Sequence, residues 1–328
     1  MPIRTFFENS LDNVLIENDF ILAVFLPSLG SKMIRLVNKQ TGTQFLLEPQ
    51  GKERRYSVPK YGEEFSDKFA YGFDDCFPTV ASTLKEINMP GGGFPDHGEL
   101  WSRQWNCGLD NEKIVFSISG VREKYSIDKA VSLEGNKLII EYSLKSLSDK
   151  EFYYIWSAHP LLIVSPGDKI ILPMEVKNVL LDWSSDNKTF PANQVCQWPM
   201  LEKGEKAVDF SSVKEMEFNK SVKCFTGKLQ SGYAGLYRSG IDQTILFSFS
   251  PAEISYLGIW LCYGGWPLKS SHKQLTVALE PANGRPDSLV EAVKRNEASV
   301  IGNNKVKNWT LEISLWKGIP ESLIVNET

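Results

Sequence analysis

Apolar and polar residues alternate in short runs along most of this chain, and the runs are too brief and too evenly punctuated for helices. VLIEN and FILAVFL meet at Asn18-Asp19, and SKMIRLV ends in the turn sequence NKQTG. Strand, turn, strand at this spacing predicts hairpins. A second group begins at Lys113 with IVFSISG, continues through AVSL and LIIEYSL joined at Glu134-Gly135-Asn136, and closes with FYYIWSA. LIIEYSL alternates only in part, as strands covered on more than one side do. Further strands are predicted at AGLYR, TILFSFS, YLGIWLC, KQLTVALE and NWTLEISLW. One helix stands out: Pro286, Asp287 and Ser288 supply a start, LVEAVKR keeps helical spacing, and basic residues fill its last turn. Residues 182–219 are expected to run as a long surface excursion, and 316–328 as a C-terminal tail. Many short strands, one or two short helices, no internal repeat and no Pro/Ser-rich linker predict a single all-β domain over 1–328, a large antiparallel β-sandwich.

Composition narrows the classes. With 328 residues, 42% of them hydrophobic and 23% charged, the chain can bury a large core and is neither disordered nor a membrane span. A net charge of -4 and the lack of a long basic run exclude a nucleic-acid partner. The segment MPIRTFFENSLDNVLIEND lacks the apolar core of a signal peptide, and no stretch approaches the ~18 apolar residues of a spanning helix, so no membrane partner and a cytoplasmic location are expected. Five scattered cysteines with no C-x-x-C pair suit reduced thiols in that compartment. A monomer or homodimer is the expected assembly.

Candidate chemistry gathers in GGGFPDHGELWSRQW, residues 91–105. Its glycines and prolines preclude a helix or central strand, so it is a shaped loop, and it carries Asp96, His97, Glu99, Trp101, Arg103 and Trp105. The chain has three histidines; His159 lies in the apolar run IWSAHPLL, where it is the one group that titrates near neutrality. Either histidine has a structural alternative, with its ring nitrogens satisfied by backbone. Glu280 ends a strand-like run just before the turn PANG, and one carboxylate with two imidazoles is the minimum kit for paired acid and base work. Glu280 also has a plain alternative, an ion pair with Arg285. Zinc held by His97, His159 and Glu280 is conceivable, but no local ligand pair supports it. The H-x-E at His97 lacks the P-C-x-x-C partner of zinc deaminases, and no Walker, Rossmann, H-E-x-x-H or G-x-S-x-G pattern is present.

PDHGELW at 95–101, SAHPLL at 157–162 and ALEPANGRPDSL at 278–289, in this order, resemble the aldose 1-epimerase (mutarotase) family of the galactose mutarotase-like superfamily. LPSLGSKMIRL and YLGIWLCYGGWP are weaker echoes, so the resemblance runs from about residue 20 to residue 315. It implies the β-supersandwich fold, a small-molecule carbohydrate substrate, no cofactor and no metal. By the same resemblance Glu280 corresponds to the catalytic base, His159 to the acid at the ring oxygen and His97 to a histidine that helps hold that oxygen. The chain departs from the family where YGFDDCFPTV replaces the usual asparagine-arginine segment, which leaves the sugar open and keeps a non-catalytic carbohydrate-binding protein as the alternative. Interconverting anomers needs one proton taken from the anomeric hydroxyl and one given to the ring oxygen, which a carboxylate and an imidazole can do in both directions. Glu280 is expected to be ionised and His159 protonated at rest. Sugar sites also need flat apolar faces, for which Trp101, Trp260, Tyr263 and Trp266 are candidates, and polar groups at the hydroxyls, for which Asp74, Asp75, Asp96, Glu99 and Arg103 are candidates. The aromatics have core packing as their alternative, and Asp74 and Asp75 a capped turn.

Overall fold

Period-two alternation decides the architecture, because each strand that buries one set of side chains must turn the other set away. The computed structural model describes residues 3–49, 56–84, 93–203 and 206–324; Gly91 and Gly92 of the candidate loop and 325–328 of the tail lie outside these. Two large antiparallel sheets form, with two two-stranded ones beside them. The larger, of twelve strands, runs in the order Ile3–Glu8, Leu11–Glu17, Ile21–Leu26, Lys32–Asn38, Phe73–Cys76, Ser157–Ile163, Leu275–Ala282, Tyr256–Tyr263, Lys220–Thr226, Asn178–Ser184 and Gln194–Gln197, with Thr43–Gln44 added on Lys32–Asn38. The smaller has eight, from Lys169–Ile171 through Tyr233–Arg238, Gln243–Phe249, Val306–Lys317, Lys137–Ser146, Tyr125–Glu134 and Lys113–Ser119 to Asn106–Asp110.

One face of each sheet meets the other in a continuous core that includes Phe25, Phe116, Trp156, Trp309, Leu257, Ile259 and Leu279. Cross-sheet aromatic contacts, Phe25 to Phe116 at 5.5 Å and Tyr142 to Trp156 at 4.8 Å between ring centres, tie the layers. The chain is thus an all-β sandwich. The longer of its two α-helices, Leu289–Lys294, is capped by Ser288, whose side chain accepts from the Glu291 N–H, and buries Leu289 and Ala292; the other, Glu321–Ile324, lies in the expected tail. Two local expectations change. The 182–219 excursion contains the strand Gln194–Gln197 and the hairpin Met200–Lys203 with Lys206–Asp209, four-residue strands too short to alternate legibly. FYYIWSA divides: Phe152–Tyr154 pairs with Ser299–Ile301, whereas Ser157 onward joins the large sheet.

Candidate functional site

The outer face of the large sheet, turned away from the smaller one, carries a cavity of about 340 Å³. Alternation selects what lines it. On Ser157–Ile163, Ala158 and Leu162 enter the core while His159 and Leu161 face out. On Leu275–Ala282, Val277 and Leu279 go in and Glu280 goes out; on Tyr256–Tyr263, Ile259 and Leu261 go in and Trp260 goes out. The register Ser157↔Ala282 and Leu161↔Ala278 sets His159 across from Glu280, although the two are more than a hundred positions apart in the chain. Opposite Glu280 on its other side is Gly258, where an added Cβ would stand 3.2 Å from both Cβ and Oε2 of Glu280. That missing side chain leaves room for Lys223, one strand farther on, to reach Glu280 Oε2.

His97 arrives from the loop. Its backbone is left-handed, with φ 57°, held by its N–H to the Val80 carbonyl at 2.6 Å; Gly98 follows with φ 75°, where a Cβ would fall 2.0 Å from the Phe77 carbonyl oxygen. The His97 ring stacks on Phe65 at 4.0 Å, meets the His159 ring edge to face at 5.0 Å, and places Nδ1 3.2 Å from Asp96 Oδ1. Asp96 also accepts the Phe65 N–H at 2.9 Å. The segment before the helix closes another side: the Asp287 carbonyl accepts from the Val80 and Ala81 N–H groups, and its carboxylate lies 3.5 Å from Lys223 Nζ. Trp183, Trp260 and Trp266 form the apolar wall, with ring centres 5.4 Å apart for the first pair and 6.3 Å for the second.

Burial dominates the electrostatics. It raises the Glu280 carboxyl to about 6, against the pull of Lys223 and with added push from Asp287. Burial also works against the Lys223 ammonium, but Asp287 and Glu280 outweigh it and hold its pKa above the ordinary lysine value. For Asp96 burial is likewise overmatched, by the His97 ring and the Phe65 N–H, and its carboxyl stays below the usual range. His159 is the reverse case. Burial, then His97, Lys223 and Lys32, push it well below the usual imidazole value, so the expected resting imidazolium is replaced by a neutral ring. Among the buried atoms without a hydrogen-bond partner in the described residues, four belong to the cavity lining: His159 Nδ1, Gln274 Oε1, Glu280 Oε1 and Asp287 Oδ1.

His97, His159, Glu280, Asp96, Trp260 and Trp266 therefore line one cavity, and six of the other sequence candidates do not. Asp74 faces the same way as His159, its register partner, but is sealed beneath the surface against Lys32 Nζ at 2.9 Å. Asp75 points the opposite way into the core, where it accepts from Lys129 Nζ and Tyr142 Oη, both at 2.8 Å, and from Trp156 Nε1 at 3.1 Å. Neither is a turn cap. Glu99 is fully buried and saturated by Tyr61 and Tyr125 hydroxyls and the Val121 and Arg122 N–H groups, so it anchors the loop. Trp101 lies behind Phe65 and Phe69 with its Nε1 on the Asp96 carbonyl. Arg103 reaches the Ser119 carbonyl at 2.7 Å, outside the cavity. Tyr263, three residues from Trp260, falls on the inner face against Phe210 and Phe218. Arg285 pairs with Glu297 and leaves Glu280 to Lys223.

The sequence reading missed Lys223, Asp182, Trp183 and Gln274 as lining residues and took Asp287 for a helix start. A lysine within the strand-like run SVKCF was the one available signal, since its neighbours Val222 and Cys224 are core residues. Among the described residues no group of three or more His, Cys, Asp or Glu side chains is arranged to hold a metal ion, and no helix is long and apolar enough to cross a membrane.

An all-β sandwich with a titratable, tryptophan-walled cavity on one outer sheet face is the class of structure these observations define. The sequence matches no family profile and no curated protein. Solved structures match over nearly the full chain. A galactose mutarotase-like protein from Lactobacillus casei superimposes with a TM-score of 0.66 at 14% identity, covering 93% of this chain and 100% of that one. A galactose mutarotase-like protein from Clostridium acetobutylicum gives 0.66 at 14%, over 96% and 98%. A proposed aldose 1-epimerase from Escherichia coli gives 0.65 at 13%, over 96% and 100%. The chain carries the galactose mutarotase-like fold, at a sequence distance that marks it as divergent from these structures.

Proposed function

We propose that the protein is a sugar 1-epimerase, an isomerase that interconverts the α and β anomers of an aldose. The observation that carries this reading is the convergence of Glu280, His159 and His97, from three distant parts of the sequence, on one cavity walled by tryptophans. Glu280 takes the anomeric proton through the oxygen that Lys223 leaves free. The two imidazoles serve the ring oxygen: His159, in the minor protonated form that its lowered pKa leaves, gives the proton and takes one back when the ring closes, and His97, fixed by Asp96 and Phe65, holds the oxygen as the ring opens. Trp183, Trp260 and Trp266 offer flat faces to the C–H side of the sugar. No step requires a cofactor.

Exchange NMR across a panel of reducing sugars tests the reading. The parent protein should exchange anomers faster than buffer alone, and Glu280→Gln should lose at least ~10²-fold in rate while still binding sugar. A variant as fast as the parent removes Glu280 from the chemistry. A second reading has its own support, because Glu280 is clasped by Lys223, which weakens a base: the protein then binds sugar saturably and leaves the anomer exchange rate at the buffer value.

A further inference from the structure

Asp182 is a cavity group for which the proton relay has no use. It stands where the pairing of Asn178–Ser184 with Lys220–Thr226 slips register between Leu181 and Trp183, and through this bulge both Asp182 and its neighbour Trp183 reach the cavity wall. Bulges commonly re-aim side chains beside functional sites. Among the described residues no hydrogen bond or ion pair engages its carboxylate, and Lys223 and Arg295 act on it only at a distance. Burial and the nearby Asp287 raise its pKa to about 6, so the charged form lacks compensation. The rest of the lining deepens the imbalance. Asp96, Glu280 and Asp287 add three more carboxylates against one ammonium, that of Lys223, which Glu280 and Asp287 already share. Trp183, its neighbour in the chain, and Trp260, 5.4 Å from Trp183 between ring centres, line the same cavity and offer indole surfaces of a kind that attracts a cation.

Resting on the epimerase reading, we infer that the substrate is an amino sugar with a free ammonium group, which Asp182 and the adjacent indole faces receive, and that the site rejects sugars bearing phosphate or carboxylate. An ammonium at Asp182 supplies the missing counter-charge, whereas an anionic sugar meets a negative wall.

The test compares galactosamine, galactose, N-acetylgalactosamine and galactose 6-phosphate, and the corresponding glucose series, by anomer exchange NMR and by calorimetric binding to the parent protein and to Asp182→Asn. The amino sugar should be preferred over the neutral sugar by about tenfold or more in at least one series, and acetylation of its nitrogen should abolish the preference. In Asp182→Asn the ratio of amino to neutral sugar should fall to about one. Parity between amino and neutral sugars in the parent, a preference that survives Asp182→Asn, or tight binding of the phosphate overturns the inference and leaves the epimerase reading standing. Binding and exchange by none of these sugars overturns both.

Discussion

Asp75→Ala separates a structural carboxylate from a sugar-binding one. Asp75 is wholly buried between the sheets and satisfies three donors, the ammonium of Lys129, itself 1% exposed, the Tyr142 hydroxyl and the Trp156 indole N–H. Truncation leaves the Lys129 charge buried with the Ser31 carbonyl and hydroxyl, 3.3 and 3.4 Å away, and the rings of Phe25, Phe73 and Phe116, none of which carries a counter-charge. Breaking a buried pair by removing one partner costs about 3–5 kcal/mol, and the stranded hydroxyl and indole add to this. At ~2–4 °C per kcal/mol for a large domain, the midpoint of thermal unfolding should fall by roughly 6–20 °C. Tryptophan fluorescence reads it directly, since Trp156 is one of the groups released. Asp75→Leu combined with Lys129→Met, which removes both charges, should recover most of the loss. Sugar exchange by the single variant, measured well below its midpoint, should keep its KM. A midpoint within about 2 °C of the parent together with a raised KM would refute the assignment and put Asp75 against the ligand.

Two further outcomes follow from the site. Above pH 6 Glu280 is ionised, because burial has raised its carboxyl only to about 6, while the protonated form of His159, whose pKa burial has lowered, becomes ever scarcer. Exchange should therefore fall with rising pH, less steeply between pH 6 and 7, where Glu280 is still gaining charge, and by about tenfold per unit above pH 7, and a flat or rising profile denies His159 its proton. Gly258→Val would crowd the Glu280 carboxylate from 3.2 Å, so exchange should drop by about 10²-fold while circular dichroism still reports the sandwich; unchanged exchange would show that Lys223 does not need this gap.

Much of the fold was legible because alternation is a local property. YLGIWLC and KQLTVALE declare two faces each, and both strands lie where their patterns required. His97, His159 and Glu280 were legible for another reason: titratable groups in a glycine-rich loop, in an apolar run and at a strand end are out of keeping with their surroundings. Alternation carried more than was read from it. Trp260 and Tyr263, three residues apart, have to face opposite ways, as do the adjacent Asp74 and Asp75, so neither pair serves one cavity. Which member faces the ligand depends on which side the second sheet covers, and that is a tertiary fact. Lys223 was hidden more deeply. Its outward direction in SVKCF normally means solvent, and only the meeting of Glu280, Asp287 and the cavity wall buries it.

Three lysine–carboxylate pairs on neighbouring parts of the large sheet show how one motif serves different ends. Asp75 has all its donors supplied from the sandwich interior, so nothing remains for a ligand. The Lys32–Asp74 pair is closed off as well, because Lys32 also donates to the Phe69 and Tyr71 carbonyls and the cavity does not reach it. At Glu280 the lysine takes Oε2 alone, and Oε1 remains a buried acceptor without a donor on the cavity wall. An unpaired buried acceptor costs about 1–3 kcal/mol, a cost that an incoming hydroxyl would remove at Glu280. Asp74 also keeps oxygens without a hydrogen-bond donor, so what sets Glu280 apart from the carboxylates that hold the sandwich together is that its free acceptor lies on the cavity wall, where a hydroxyl can reach it.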